Sequence, residues 1–267
     1  MVKYVTCGDI MFKIGDLVTR NSYNNDIVFK VVGVEGDNYL LQGVNVRLCA
    51  DSYSEDLKKY KNEVNDDDEK FFLDFEKYVT LDRDEYFYLP GKILHIDADK
   101  DYLDRCMKFY KKNKVKAYGI YEKEENVWGK MGEYLETYNP DIIVITGHDA
   151  YYRKRRDGSK YKNTDNFIKA VKEARKVEKS HEKLIIIAGA CQSDYEELIK
   201  AGANFASSPK RINIHALDPA IVAASVSFAD KRNDIDLIKI LNNTKYGAEG
   251  MGGIITKGTM YVGFPRE

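Results

Sequence analysis

Three almost unbroken apolar runs, at residues 92–96, 141–146 and 184–188, recur between segments of helical periodicity in the last two thirds of the chain. Short buried runs alternating with amphipathic helices are what a parallel sheet covered on both faces requires. The helical segments are 101–113, with Leu103, Met107 and Tyr110 on one face, then 128–138, 166–179 and 194–201. Shorter strands are expected at 117–120 and 204–206. The pattern begins after Pro90-Gly91, so residues 90–267 read as an α/β domain with a mostly parallel sheet between helices. Past Ser207, 219–227 and 234–242 read as helices and the glycine-rich 247–263 as a turn and hairpin. Gly250, Gly252 and Gly253 follow no buried strand and open no helix, which removes the case for a phosphate loop.

The first fifty residues follow a different rule. Segments 12–20, 27–34, 39–43 and 46–49 are rich in β-branched and aromatic residues and are separated by turn signals at Asn24-Asn25, Gly36-Asp37 and Gly43. Strands this short with connections this tight predict a small SH3-like or Tudor-like β-barrel over residues 1–50. Residues 51–89 are strongly charged around Asp66-Asp67-Asp68-Glu69, with Phe71, Phe72 and Phe75 on a weak helical face, and read as a helical linker.

Composition narrows the function classes. The chain has 267 residues, with 42 Lys and Arg against 43 Asp and Glu, a formal net charge of −1. No bulk attraction to nucleic acid follows. No apolar run approaches the roughly 18–20 residues of a membrane span. The N-terminus lacks a secretory h-region, so the protein is expected to stay in the cytoplasm. Cys7, Cys49, Cys106 and Cys191 are scattered without metal-ligand spacing, and neither a disulfide framework nor a metal or cofactor is expected.

In open α/β sheets, functional groups gather beyond the carboxyl ends of the strands. Here those ends carry Asp97-Ala98-Asp99, Gly147-His148-Asp149 and Gly189-Ala190-Cys191-Gln192-Ser193. Two strong strands thus end in a histidine and a cysteine. If they are neighbours, an imidazole and a thiol face each other across about 5 Å of sheet, and a following helix would favour the thiolate. Cys49 and Cys106 read as packing residues, His95 as core and His181 as surface. His215 is the competitor to His148. Ser193 and Ser207 lack a GxSxG setting, and no HExxH occurs. A buried, inert Cys191 in a noncatalytic scaffold is the reading from another class.

At these residues the chain resembles caspase-like cysteine peptidases, including clostripain and gingipain relatives. In the caspases the histidine precedes an Ala-Cys by about 50 residues; here the two are 43 apart. More closely, the chain is similar to a family of sporulation-specific proteases. The resemblance is carried by residues 12–18, Pro90-Gly91-Lys92, residues 145–150, 188–193, 201–209 and 213–219. It begins near Met11, which leaves residues 1–10 as a possible extension.

The resemblance implies a caspase-like fold and a cysteine endopeptidase of endospore formation, acting in the mother cell on spore coat proteins and germination-related precursors, preferentially after Arg. His148 and Cys191 carry over as the catalytic dyad. The usual pattern has Gly after the histidine, whereas here Gly147 precedes it and Asp149 follows; the amides of Asp149 and Cys191 are the expected oxyanion hole. Gly189 stands where Arg-specific relatives often carry Asp, so the acid that binds the substrate Arg is sought in Asp97 and Asp99, with Asp218 as a further candidate. Arg153, Arg155 and Arg156 mark a possible self-cleavage loop.

Overall fold

The computed structural model describes residues 12–61, 68–78, 81, 85–152 and 160–265. Residues 1–11, including Cys7 and the possible extension, and the Arg153, Arg155 and Arg156 loop lie outside the described residues.

The N-terminal sheet is built from β1 (Leu17–Arg20), β2 (Phe29–Glu35), β3 (Asn38–Gly43), β4 (Cys49–Tyr53) and β5 (Leu57–Lys59). All pairs are antiparallel and the order is β4-β3-β2-β1-β5. The last strand returns beside the first after a 3-10 turn at Ser54–Asp56. The sheet therefore runs past residue 50, where composition alone set its end. Lys30, Glu35, Asp51, Lys58 and Lys59 are exposed, while Val18, Phe29, Val31, Leu41 and Leu57 are buried. Of the strand expected at 46–49 only Cys49 joins this sheet, as the start of β4; residues 46–48 pair elsewhere.

Within the charged connection, α1 (Asp68–Tyr78) is docked rather than solvated. Phe72 and Phe75 are buried against Phe109, and Asp68 takes a two-pronged pair with Arg105, each N–O distance 2.8 Å. A short β6 (Phe87–Leu89) leads into the main sheet.

That sheet comprises β7 (Ile93–Asp97), β8 (Ala117–Tyr121), β9 (Ile142–Thr146), β10 (Ile185–Ala188), β11 (Phe205–Ser207) and β12 (Met251–Gly253). Its order is β12-β11-β10-β9-β7-β8, parallel except for β12. The helices are α2 (Lys100–Lys112), α3 (Glu124–Tyr138), α4 (Thr164–Val177), α5 (Tyr195–Ala201), α6 (Asp218–Ser227) and α7 (Leu237–Leu241). Period-two alternation splits the core. Ile93, Ile142, Val144, Ile185 and Ile187 pack with α6, whereas Leu94, Ile96, Ile143, Ile145 and Ile186 pack with α3 and α4. Each such side chain contributes about 1.5–3 kcal/mol of burial. Every residue of α6 is buried, which explains why its sequence shows no polar face.

The tail does not form its own hairpin. β12 adds to β11, and β13 (Tyr261–Gly263) pairs with β6. The β13 partners lie 172–176 residues away and leave no local trace in a glycine-rich sequence. The helix expected at 234–242 is shortened to α7 because Asp236 caps it, accepting from the Lys239 amide at 3.0 Å. No helix among the described residues is long and apolar enough to cross a membrane.

Candidate active site

The chain runs from β7 outward to β8 and then returns across the sheet to β9, so strand order reverses between β7 and β9. Such a reversal leaves a crevice beyond the strand ends, where the two connections part. Asp97 ends β7, and His148 follows β9 by two residues. Cys191 lies three residues beyond β10, which pairs directly with β9, Ala188 opposite Ile145. The sheet thus brings the histidine and cysteine loops onto adjacent strands.

The two loops are tied together by buried hydrogen bonds. Thr146 Oγ1 donates to the Gly189 carbonyl at 2.9 Å. The Asp149 carboxylate accepts from the Ala150 and Asn163 amides, each at 2.8 Å, from Ser193 Oγ at 2.8 Å and from Thr164 Oγ1. Ser193 Oγ in turn accepts from the Ala190 amide at 3.0 Å. Beside the amide expected of it as an oxyanion donor, Asp149 contributes a side chain that joins both loops to the start of α4. Burial raises its pKa, and these donors partly offset that.

Two glycines permit this path. Gly147 leaves no room for a Cβ, which would sit 2.6 Å from the Glu124 carboxylate, and that carboxylate accepts the His148 amide at 3.0 Å. Gly189 has a φ of +101°, a left-handed turn that lets the chain leave β10 sharply.

His148 is buried, stacked on Tyr102 with ring centroids 5.1 Å apart. The Gln42 amide nitrogen lies 3.1–3.2 Å from both ring nitrogens, and an Asp99 carboxylate oxygen is 3.6 Å from Nε2. Burial, assisted by the positive charge of Arg47, lowers the imidazole to about 3, so the ring is neutral. Cys191 is wholly buried. Its Sγ accepts the Ile214 amide at 3.2 Å, but burial dominates and pushes the thiol up. The helix expected immediately after Cys191 starts only at Tyr195, capped by Asp194, so three residues separate it from the cysteine.

The residues that cover this site come from 42–49. Val46 pairs with His215 antiparallel and Leu48 with Asp149 in parallel. The Arg47 amide donates to the Ile214 carbonyl at 3.3 Å, and the Ala216 amide to the Asn45 carbonyl at 3.2 Å. The Cys191 amide donates to the Arg47 carbonyl at 3.3 Å. Arg47 itself is wholly buried. Its Nη1 lies 2.7 Å from Asp97, its Nε and Nη2 donate to the Ala216 carbonyl at 3.1 and 2.8 Å, and its Nη2 reaches Cys106 Sγ at 3.6 Å. The guanidinium carbon is 4.9 Å from the Tyr102 ring centre.

Asp97 therefore does not lie open to incoming molecules, as expected of it, but holds a buried guanidinium. Burial works against its charge, yet Arg47 and His95 outweigh this and keep the carboxyl at about 2. Asp99 does not join it. Its carboxylate caps α2, accepting the Tyr102 amide at 3.0 Å, and turns to Gln42 and His148. Asp218, the further candidate, is buried and accepts the His215 and Lys245 amides at 2.8 and 2.9 Å. His215, the competitor, packs at a tilt against Phe71, ring centroids 4.8 Å apart, and lies 3.8 Å from Asp68.

His95, Asp97 and Cys106 form a buried donor group that a cation could use, but the Arg47 guanidinium already supplies positive charge there. His148 also borders an open cleft of about 620 Å³, lined by Cys49, Tyr121, Glu124, Tyr152 and Lys162 among others. Gln42, Arg47, Tyr102 and the Asp149 side chain were missed from sequence. The one available signal was Arg47 itself, a lone charge in an otherwise apolar run.

The chain matches the family model described as YabG peptidase U57 over residues 13–265. The sporulation-specific protease YabG of Bacillus subtilis (strain 168) is 40% identical over 286 residues, covering 96% of this chain and 99% of that protein.

Proposed function

Because the chain belongs to the YabG peptidase family, we propose that it works in sporulation as a cysteine endopeptidase with Cys191 as nucleophile and His148 as its acid–base partner. The substrates proposed are spore coat proteins and germination-related precursors, cut after Arg in the mother cell. Membership of a peptidase family sets aside the noncatalytic scaffold.

The observation that carries this reading is the pairing of β9 with β10, beyond whose ends the His148 and Cys191 loops are joined through Asp149 and Ser193. In the proposed reaction, His148 takes the thiol proton and the thiolate attacks the substrate carbonyl carbon. The Cys191 amide donates to the developing oxyanion. The amide C–N bond then breaks, His148 protonates the leaving amine, and water hydrolyses the thioester to release the acid and the thiol. Gln42 must move off the ring before reaction, so that the imidazole regains solvent and its ability to carry a proton; a substrate from another protein must also displace residues 45–48.

The test compares wild-type, Cys191→Ala and His148→Ala proteins on a peptide library read by mass spectrometry. Cys191→Ala should abolish cleavage, and His148→Ala should lower it by about 10²–10⁴-fold. Folded Cys191→Ala protein with full activity would end the proposal.

A further inference from the structure

We propose that residues 45–48 lie in the chain's own substrate cleft and that the Arg47–Leu48 peptide bond is one this peptidase cuts in itself. The proposal rests on the reading of His148 and Cys191 as a peptidase dyad that prefers Arg, and it deepens that reading.

Four features of the segment converge. Its backbone is held as an added strand: the Arg47 amide bonds the Ile214 carbonyl, Val46 pairs antiparallel with His215, and the Asn45 carbonyl accepts the Ala216 amide. Extended peptides are commonly bound in this way, with main-chain bonds for affinity and a pocket for alternate side chains. The carbonyl presented to the Cys191 amide, at 3.3 Å, is that of Arg47, so the donor proposed for the oxyanion already faces the bond that would be cut.

The pocket supplies the third feature. Arg47 uses the full fork of its guanidinium, one edge toward Asp97 at 2.7 Å and two N–H groups on the Ala216 carbonyl, beneath the Tyr102 ring. A fork matched to a carboxylate at one edge and a carbonyl at the other distinguishes Arg from Lys. Asp97, the Ala216 carbonyl, Cys106 and Tyr102 thus form the pocket that recognises a substrate Arg. Finally, Leu48 leads away over the histidine loop, where it pairs with Asp149 and the Cys49 amide donates to the Asp149 carbonyl at 3.3 Å. The Arg47–Leu48 bond therefore runs from the cysteine loop to the histidine loop.

The step balances as an ordinary hydrolysis. Cys191 Sγ bonds to the Arg47 carbonyl carbon, the bond to the Leu48 nitrogen breaks, and that nitrogen leaves as an amine with the proton His148 received from the thiol. Water then cleaves the thioester, giving an Arg47 carboxylate and restoring the thiol. Until the bond is cut or the segment is displaced, an Arg of another protein has no access to the pocket.

Full-length wild-type, Cys191→Ala and Arg47→Lys proteins are followed over time by intact mass and N-terminal sequencing, alongside cleavage of an Arg-containing peptide. Wild-type protein should yield a fragment beginning at Leu48, and Cys191→Ala should stay whole. Arg47→Lys keeps a positive charge opposite Asp97 and so should fold, yet its self-cleavage should be slower by about tenfold or more. Wild-type protein that cleaves the peptide while Arg47–Leu48 stays intact would overturn this inference and leave the dyad standing. Self-cleavage of Arg47→Lys at the wild-type rate would overturn the pocket assignment. If neither bond is cut, the peptidase reading itself falls.

Discussion

Asp97 and Asp149 end or follow neighbouring strands, both are completely buried, and their pKa values move in opposite directions. Asp97 is held down by a guanidinium brought from the connection between β3 and β4, 50 residues earlier. Asp149 is raised by burial and satisfied by amides and hydroxyls of its own domain. A carboxylate compensated by a charge depends on whatever carries that charge. One compensated by fixed dipoles does not. The site therefore has a permanent part, the paired histidine and cysteine loops, and an exchangeable part, the pocket that Arg47 fills.

The largest expected effect breaks the exchangeable side. In an uncleaved Cys191→Ala background, Arg47→Ala leaves Asp97 buried without its partner and should cost about 3–5 kcal/mol in chemical denaturation. A change below about 1 kcal/mol would mean that water or another cation compensates Asp97. On the permanent side, Asp149→Asn keeps one acceptor oxygen but turns an NH₂ toward donors. It should cost about 1–3 kcal/mol and lower peptide cleavage more than stability alone explains, because both loops shift. Equal activity at equal concentration of folded protein would contradict its positioning role.

Acid sharpens the comparison further. His148 is lowered from 6.5 to about 3, so its contribution to stability is complete above pH 6.5 and is lost as pH falls toward 3, where the unfolded chain takes up a proton that the folded ring refuses. Asp218, pushed up to about 6 by burial, acts with the opposite sign. The measurement is therefore a difference: the Tm of Cys191→Ala protein should fall relative to that of Cys191→Ala/His148→Gln between pH 7 and 5. A constant difference would place His148 in solvent. The smallest effect is expected from Asp99→Asn, since Asn caps a helix as well as Asp does; a stability change within about 0.5 kcal/mol is predicted.

The same division explains what could be read from the chain. The permanent part was legible because its signals are local: an apolar strand of four to six residues, then a histidine or a cysteine, twice. The neighbouring of β9 and β10 followed from ordinary crossover rules. Asp97 was singled out, yet its partner was not, because Arg47 reaches it from the connection between two strands of the N-terminal sheet and its Ala216 acceptor lies 169 residues away. The same cause hid the continuation of the first sheet through Lys59 and the pairing of β13 with β6. In both, charged or glycine-rich residues form strands only because distant partners complete them. The docking of α1 was half legible: Phe72 and Phe75 marked a face, but the surrounding acids suggested solvent, and Arg105 was needed to bury Asp68.

The proposed reaction has two parts, Cys191 as the nucleophile and cleavage after Arg. An Arg-based, thiol-reactive chloromethyl ketone applied to active protein, followed by peptide mapping, tests both parts at once. A single adduct on Cys191 is expected, absent from Cys191→Ala protein and much weaker with a Glu-based probe of the same chemistry. Labelling of Cys49 or Cys106 instead, or equal reaction with the Glu probe, would contradict that reaction.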